Sequence, residues 1–213
     1  MTNLGSIPYP TTNLKNVLVP ELTKYFEKLR QDNHRKLYSI GLTYKESNQL
    51  PLTPTITQEY LNRCWKSLLR YLCGSLKYDR PWFKNIQPSF WVFLDVPGSK
   101  KKNKKVSPSN HPSTFHHHGI LVAHEKHIPK LDNLITPHLA GAFVESNPWT
   151  NLRTMNVQEI GNTEADIHKV VDYDSAWSRC RPYDLMAYQV FPIASSEYKS
   201  SAPSTCQIAS AVN

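Results

Sequence analysis

Between Lys36 and Lys45 the chain alternates, with Tyr38, Ile40, Leu42 and Tyr44 set against Ser39, Gly41 and Thr43. A period of two belongs to a β-strand, so this segment predicts a strand with one apolar face and one small, polar face. Segments 89–96 (SFWVFLDV) and 114–123 (TFHHHGILVA) are rich in aromatic or β-branched residues and short enough to be strands. Two more strand-like stretches run from Leu152 to Ile160 and from Ala165 to Tyr173. Helical spacing appears elsewhere. A first helix is expected from Pro20, with Leu22, Tyr25, Phe26 and Leu29 on one side. A Thr55-x-x-Gln58 capping box predicts the start of a second, where Tyr60, Leu61, Cys64, Trp65, Leu68, Leu69 and Leu72 recur until Gly74. A third is expected over Pro129 to Ala140, and a last one from Pro182 to just before Pro192.

In order, the middle of the chain reads β-α-β-β-α-β. That is the plan of a ferredoxin-like or RRM-like α+β fold, an antiparallel sheet with helices packed on one face. Its first and third strands are central, which puts the 114–123 strand beside the 36–45 strand. The helices at 20–30 and 182–191 are then available to flank the open face. An aperiodic mix of Pro, Thr and Asn at 1–18 and a Ser- and Ala-rich stretch at 195–213 predict a flexible segment and a disordered tail around one domain at 19–194.

Composition narrows the class. The chain has 213 residues, 39% hydrophobic and 20% charged, enough apolar surface for a core and too much for wholesale disorder. Lys and Arg number 25 against 17 acidic residues, a net charge of +8 that favours polyanionic partners. No apolar run approaches the roughly 20 residues of a membrane helix, and the N-terminus lacks the features of a signal peptide. A cytoplasmic protein without membrane contact is expected. Cys64, Cys73, Cys180 and Cys206 form no C-x-x-C pair and read as reduced thiols.

Histidine carries the candidate chemistry. His111, His116, His117, His118, His124 and His127 cluster within one stretch. Strand alternation sends His116 and His118 to one face, roughly 7 Å apart, and His117 to the other. Two imidazoles so placed can chelate a metal, and Asp95, on the expected neighbouring strand, can supply a carboxylate. Nitrogen and carboxylate donors with open positions suit Mg²⁺ or Mn²⁺ working on a phosphate better than a closed structural zinc site. Between Asp95 and these histidines lies a loop carrying Lys100, Lys101, Lys102, Lys104 and Lys105. Those lysines are candidate phosphate contacts, as are Arg179 and Arg181.

The run Phe115-His116-His117-His118-Gly119-Ile120-Leu121-Val122 resembles the histidine-x-histidine strand of the HUH endonucleases, a superfamily that includes rolling-circle replication initiators, relaxases and single-strand transposases. Leu37-Tyr38-Ser39-Ile40-Gly41-Leu42-Thr43-Tyr44 is similar to the first motif of that family, a strand ending in Leu-Thr. The resemblance implies a divalent metal, Mg²⁺ or Mn²⁺, on His116, His118 and Asp95. It also implies a tyrosine nucleophile on a helix, for which Tyr188 is the first candidate and Tyr183 the second; Gln189, Val190 and Phe191 stand where the family often has a lysine. The implied activity is site-specific nicking and joining of single-stranded DNA, in replication initiation for a plasmid, phage or mobile element, with host helicase and polymerase as further partners. The competing reading is a non-catalytic module that holds single-stranded nucleic acid on the same sheet. A zinc hydrolase built on the histidine cluster is a third, although the chain has no H-E-x-x-H.

Overall fold

The computed structural model describes residues 13–32, 34–45, 54–74, 81–95, 116–175 and 188–192. Helix α1 (Asn13–Arg30) leads into strand β1 (Arg35–Tyr44), helix α2 (Pro54–Cys73) and the short α3 (Pro81–Ile86). Strands β2 (Ser89–Asp95) and β3 (His116–His124) follow, then α4 (Ile128–Ile135), α5 (Pro137–Ser146), β4 (Leu152–Glu159), α6 (Glu164–Asp174) and β5 (Tyr188–Phe191). The sheet has the order β4-β1-β3-β2-β5, with antiparallel pairing throughout. The fold is therefore α+β, and its first four strands have the ferredoxin-like order with the histidine strand between β1 and β2.

Alternation along β1 divides the core. Tyr38, Ile40, Leu42 and Tyr44 join Phe90, Val92, Leu94 and Leu121 beneath α2, α4 and α5, where Leu61, Trp65, Leu68, Leu131, Leu134 and Phe143 are buried. On the opposite face, Trp91, Phe93, Ile120 and Val122 pack against Leu18, Leu22 and Phe26 of α1 and Ile167 and Val171 of α6. Trp91 is gripped by two rings of α1, with centroids 5.1 Å from Tyr25 and 5.6 Å from Phe26. Each such side chain contributes about 1.5–3 kcal/mol through removal from water, so both faces are held.

Five expectations change. Helix α1 begins seven residues before Pro20 and carries that proline in its interior, because the buried stripe Leu18, Val19, Leu22 and Phe26 continues through it. Helix α2 starts at Pro54, which places Thr55 inside the first turn rather than at the cap, and Gly74 ends it at φ +62° as expected. The 129–140 helix is two helices that meet at Thr136, each opened by a proline.

The fourth concerns 165–173, which is helix, not strand. Thr163 caps α6: its Oγ1 accepts from the Asp166 amide at 3.1 Å, and Asp166 Oδ2 accepts from the Thr163 amide at 3.2 Å. Ile167 and Val171, four residues apart, then bury one helical face. Conversely, 188–191 is not the end of a helix but strand β5, paired with β2. The helix that flanks the second face together with α1 is thus α6.

Candidate metal centre

The register of the three central strands brings the candidate ligands together. Along β2 and β3, Trp91 pairs with Ile120, Phe93 with His118 and Asp95 with His116. On the other side of β3, Gly41 pairs with His118 and Thr43 with His116. The second face is therefore apolar where α1 and α6 cover it and turns polar toward one end. There Asp95 is buried, while the side chains of His116 and His118 are 17% and 20% exposed.

Both imidazoles aim at one carboxylate oxygen. Asp95 Oδ2 lies 3.4 Å from His116 Nε2 and 3.7 Å from His118 Nε2, and the rings stand nearly perpendicular with centroids 4.8 Å apart. One donor atom from each of the three residues falls within a 4.8 Å span. Adjacent ligands of a small octahedral ion, each about 2.1 Å from the metal, are themselves about 3 Å apart. The three donors thus converge at a spacing close to that of ligands sharing an ion, with an open side toward solvent. This group can hold a metal ion.

His117 points the other way, as alternation requires, and is 2% exposed. Burial, reinforced by the neighbouring His116 and His118, pushes its pKa down to about 3. Tyr44, wholly enclosed, is held well above the usual phenol range by burial. Both groups are therefore neutral, and the Tyr44 hydroxyl and His117 Nδ1 share a hydrogen bond of 2.7 Å. This bond ties the end of β1 to the ligand-bearing end of β3 from behind.

A side chain that the sequence pattern did not single out completes the site. Tyr173, in the last turn of α6, stands edge-on to His118 with ring centroids 5.2 Å apart and is half exposed. The available signals were the Thr163-x-x-Asp166 cap and the Ile167/Val171 spacing, which together mark 164–174 as helix. Of the tyrosines proposed from sequence, Tyr188 is on edge strand β5, where its backbone pairs with Phe93. Tyr183 lies outside the described residues, as do Lys100, Lys101, Lys102, Lys104, Lys105, Arg179 and Arg181. So do most of the segments 1–18 and 195–213, apart from the start of α1.

Beside His118 a groove of about 440 Å³ runs between α6 and the polar strip of β1 and β4. Ser39, Gly41, Asn156 and Gln158 form its floor, and Lys169 and Tyr173 stand on its helical wall. No protein-family model matches this chain, and neither a curated protein nor a solved structure matches it. Among the described residues no helix is long and apolar enough to cross a membrane. Cys64 and Cys73 are both buried free thiols.

Proposed function

We propose that the protein is a metal-dependent, HUH-type endonuclease that nicks and rejoins single-stranded DNA through a tyrosine, with Tyr173 as the nucleophile. The observation that carries this reading is the approach of Tyr173 to His118, a member of the triad with Asp95 and His116, at a solvent-facing end of the sheet. The ferredoxin-like strand order and the +8 charge support it.

His116, His118 and Asp95 would hold a divalent ion, Mg²⁺ or Mn²⁺, which supplies Lewis-acid neutralisation of charge on a scissile phosphate. The protein's own contribution is position. The Tyr173 oxygen attacks phosphorus, an O–P bond to tyrosine forms and the bond from phosphorus to the 3′ oxygen breaks. The phenol gives up its proton to solvent, and the departing 3′ oxygen takes one up. A phenol is more acidic than an alcohol, which makes it both an accessible nucleophile and a good leaving group, so the 5′-phosphotyrosine link can be reversed by a 3′-hydroxyl. Asp95, buried beside the two imidazoles, would share the ion with them, and the Tyr44–His117 bond fixes the strand that carries the histidines.

The test is incubation with labelled single-stranded DNA hairpins and Mn²⁺, resolved on a denaturing gel, for the wild type and His118→Ala, Tyr173→Phe, Tyr188→Phe and Tyr183→Phe. The expected result is a protein-linked 5′ product that needs metal, disappears in His118→Ala and Tyr173→Phe, and persists in the other two. Loss in Tyr188→Phe or Tyr183→Phe with retention in Tyr173→Phe would move the nucleophile. DNA that is bound but never cut would leave the non-catalytic binding module as the better account.

A further inference from the structure

The groove next to the triad has a composition that the nicking reaction alone does not require. Its floor is made of small residues and two amides: Asn156 pairs with Gly41 and Gln158 with Ser39 across β1 and β4, so all four share one face of the sheet. Asn156 and Gln158 are exposed, and their side-chain amides make no hydrogen bond to the described residues. Each therefore presents a donor and an acceptor to the groove without having to break an internal bond.

Charge then decides what the groove accepts. Its lining includes Glu159, Asp166 and Asp174 against Lys169 as the one ammonium. Glu159 is paired with Lys36 at 3.0 Å. Thr163 and, more weakly, Lys169 hold the Asp166 carboxyl below its usual range, so the lysine's charge is already partly answered. His118 and Tyr173 complete the titratable set. A second phosphate would meet a net acidic wall here. A neutral heteroaromatic ring would not, and a volume of about 440 Å³ lies within the range of about 300–1,000 Å³ that clefts for such ligands occupy.

We infer that this groove is a base-reading subsite in which Asn156 and Gln158 hydrogen-bond the edge of one unpaired base adjoining the scissile phosphate, with Tyr173 at its mouth. The inference rests on the proposed function for the identity of the strand. An unpaired base exposes edges that are hidden in a duplex, and an amide can satisfy a donor and an acceptor on such an edge together. The small floor at Ser39 and Gly41 leaves room for the ring: a β-carbon added at Gly41 would lie 3.6 Å from His118 Nδ1 and 4.0 Å from Asn156 Cβ, inside the groove.

The experiment is equilibrium binding of the full chain to a single-stranded DNA pool randomised over a short window, in EDTA and in Mn²⁺, with the bound fraction sequenced. Wild type should enrich one base at one position by at least about 5-fold, the lower end of what a two-bond amide–base pair discriminates. The Asn156→Ala/Gln158→Ala double variant should flatten that position while its mean affinity for the pool falls less than about 3-fold, since phosphate contacts dominate affinity. Gln158→Glu, which keeps the shape and removes the donor, should change the favoured base rather than abolish the preference. An identical preference in the double variant, or none in wild type, overturns the subsite and leaves the nicking reading intact. Preference lost in the variant by a protein that never cuts DNA overturns the nicking reading and keeps the subsite. Absence of any binding by wild type overturns both.

Discussion

Tyr44 and His117 are joined by a 2.7 Å hydrogen bond on the face of the sheet opposite the candidate metal ligands, with both groups buried and neutral. His117 stands between the two candidate ligands in sequence and is turned away from them in space. A position that alternation would fill with an apolar side chain therefore holds an imidazole, which is tolerated because the phenol satisfies its Nδ1. Tyr44→Phe removes that partner and leaves Nδ1 buried without it, at an expected cost of about 1–3 kcal/mol. Urea denaturation measures the loss, and an unchanged midpoint would mean that water takes the phenol's place.

Metal binding can be read without any DNA. A ligand that binds only the native state at a hundred times its Kd adds about 2.7 kcal/mol to stability. Mn²⁺ should accordingly raise the melting temperature of the wild type, EDTA should reverse the rise, and His116→Ala, His118→Ala and Asp95→Asn should each lose it. Tyr173→Phe should keep it. A shift that survives loss of both histidines would place the ion elsewhere.

Two glycines on the central strands should differ sharply in their response to alanine. At Gly119 an added β-carbon would lie 2.7 Å from Phe90 Cε2 and press on the Trp91 carbonyl oxygen, atoms fixed in the middle of the sheet. Gly119→Ala is expected to cost about 3 kcal/mol or more through overpacking. At Gly41 the nearest atoms are at ordinary contact distance, so Gly41→Ala should change stability by less than about 1 kcal/mol. Thermal melts of the two variants side by side test the contrast, and equal losses would contradict it.

Acid sensitivity should include a contribution from His127, at the other end of β3 from the candidate metal ligands. Burial holds its pKa below the ordinary value, and its Nε2–H donates to the Ile86 carbonyl at 2.9 Å beside Cys73. The folded protein keeps this ring neutral while the unfolded chain takes up a proton below about pH 6.5. Its stabilising contribution is thus fully present above that pH and is lost as pH falls toward the lowered folded value. His127→Gln does not titrate, so between about pH 7.5 and pH 5.5 it should lose less stability than the wild type. Equal losses in parallel urea titrations would exclude His127 as the source.

Much of this architecture is legible in the sequence. A strict period of two over Tyr38–Tyr44 specifies a strand and assigns its faces, and the paired order of elements specifies which strands are neighbours. His116 and His118 share a face for the same local reason, and Asp95 joins them because β2 and β3 pair without a bulge from Ser89 to Asp95. The segments that misled were those in which intrinsic preference and tertiary context conflict. Ala165–Tyr173 contains β-branched and aromatic residues that favour a strand, yet a capping box and two buried contacts four residues apart make it helical. Gln189–Phe191 follows a plausible helix start, but pairing with β2 holds it extended, and the Gln58 amide bonds the Gln189 side chain.

Local pattern by itself determined the class of fold, the central place of the histidine strand and the divergence of His117 from its neighbours, because each depends only on periodicity and order along the chain. The partner of His118 was decided by tertiary structure alone. Tyr173 reaches that ring because α6 crosses the second face of the sheet, and the direction of that crossing is set by the packing of Ile167 and Val171 on the core formed with α1. Contacts between residues far apart in sequence arise from how surfaces fit together, which no spacing along the chain encodes.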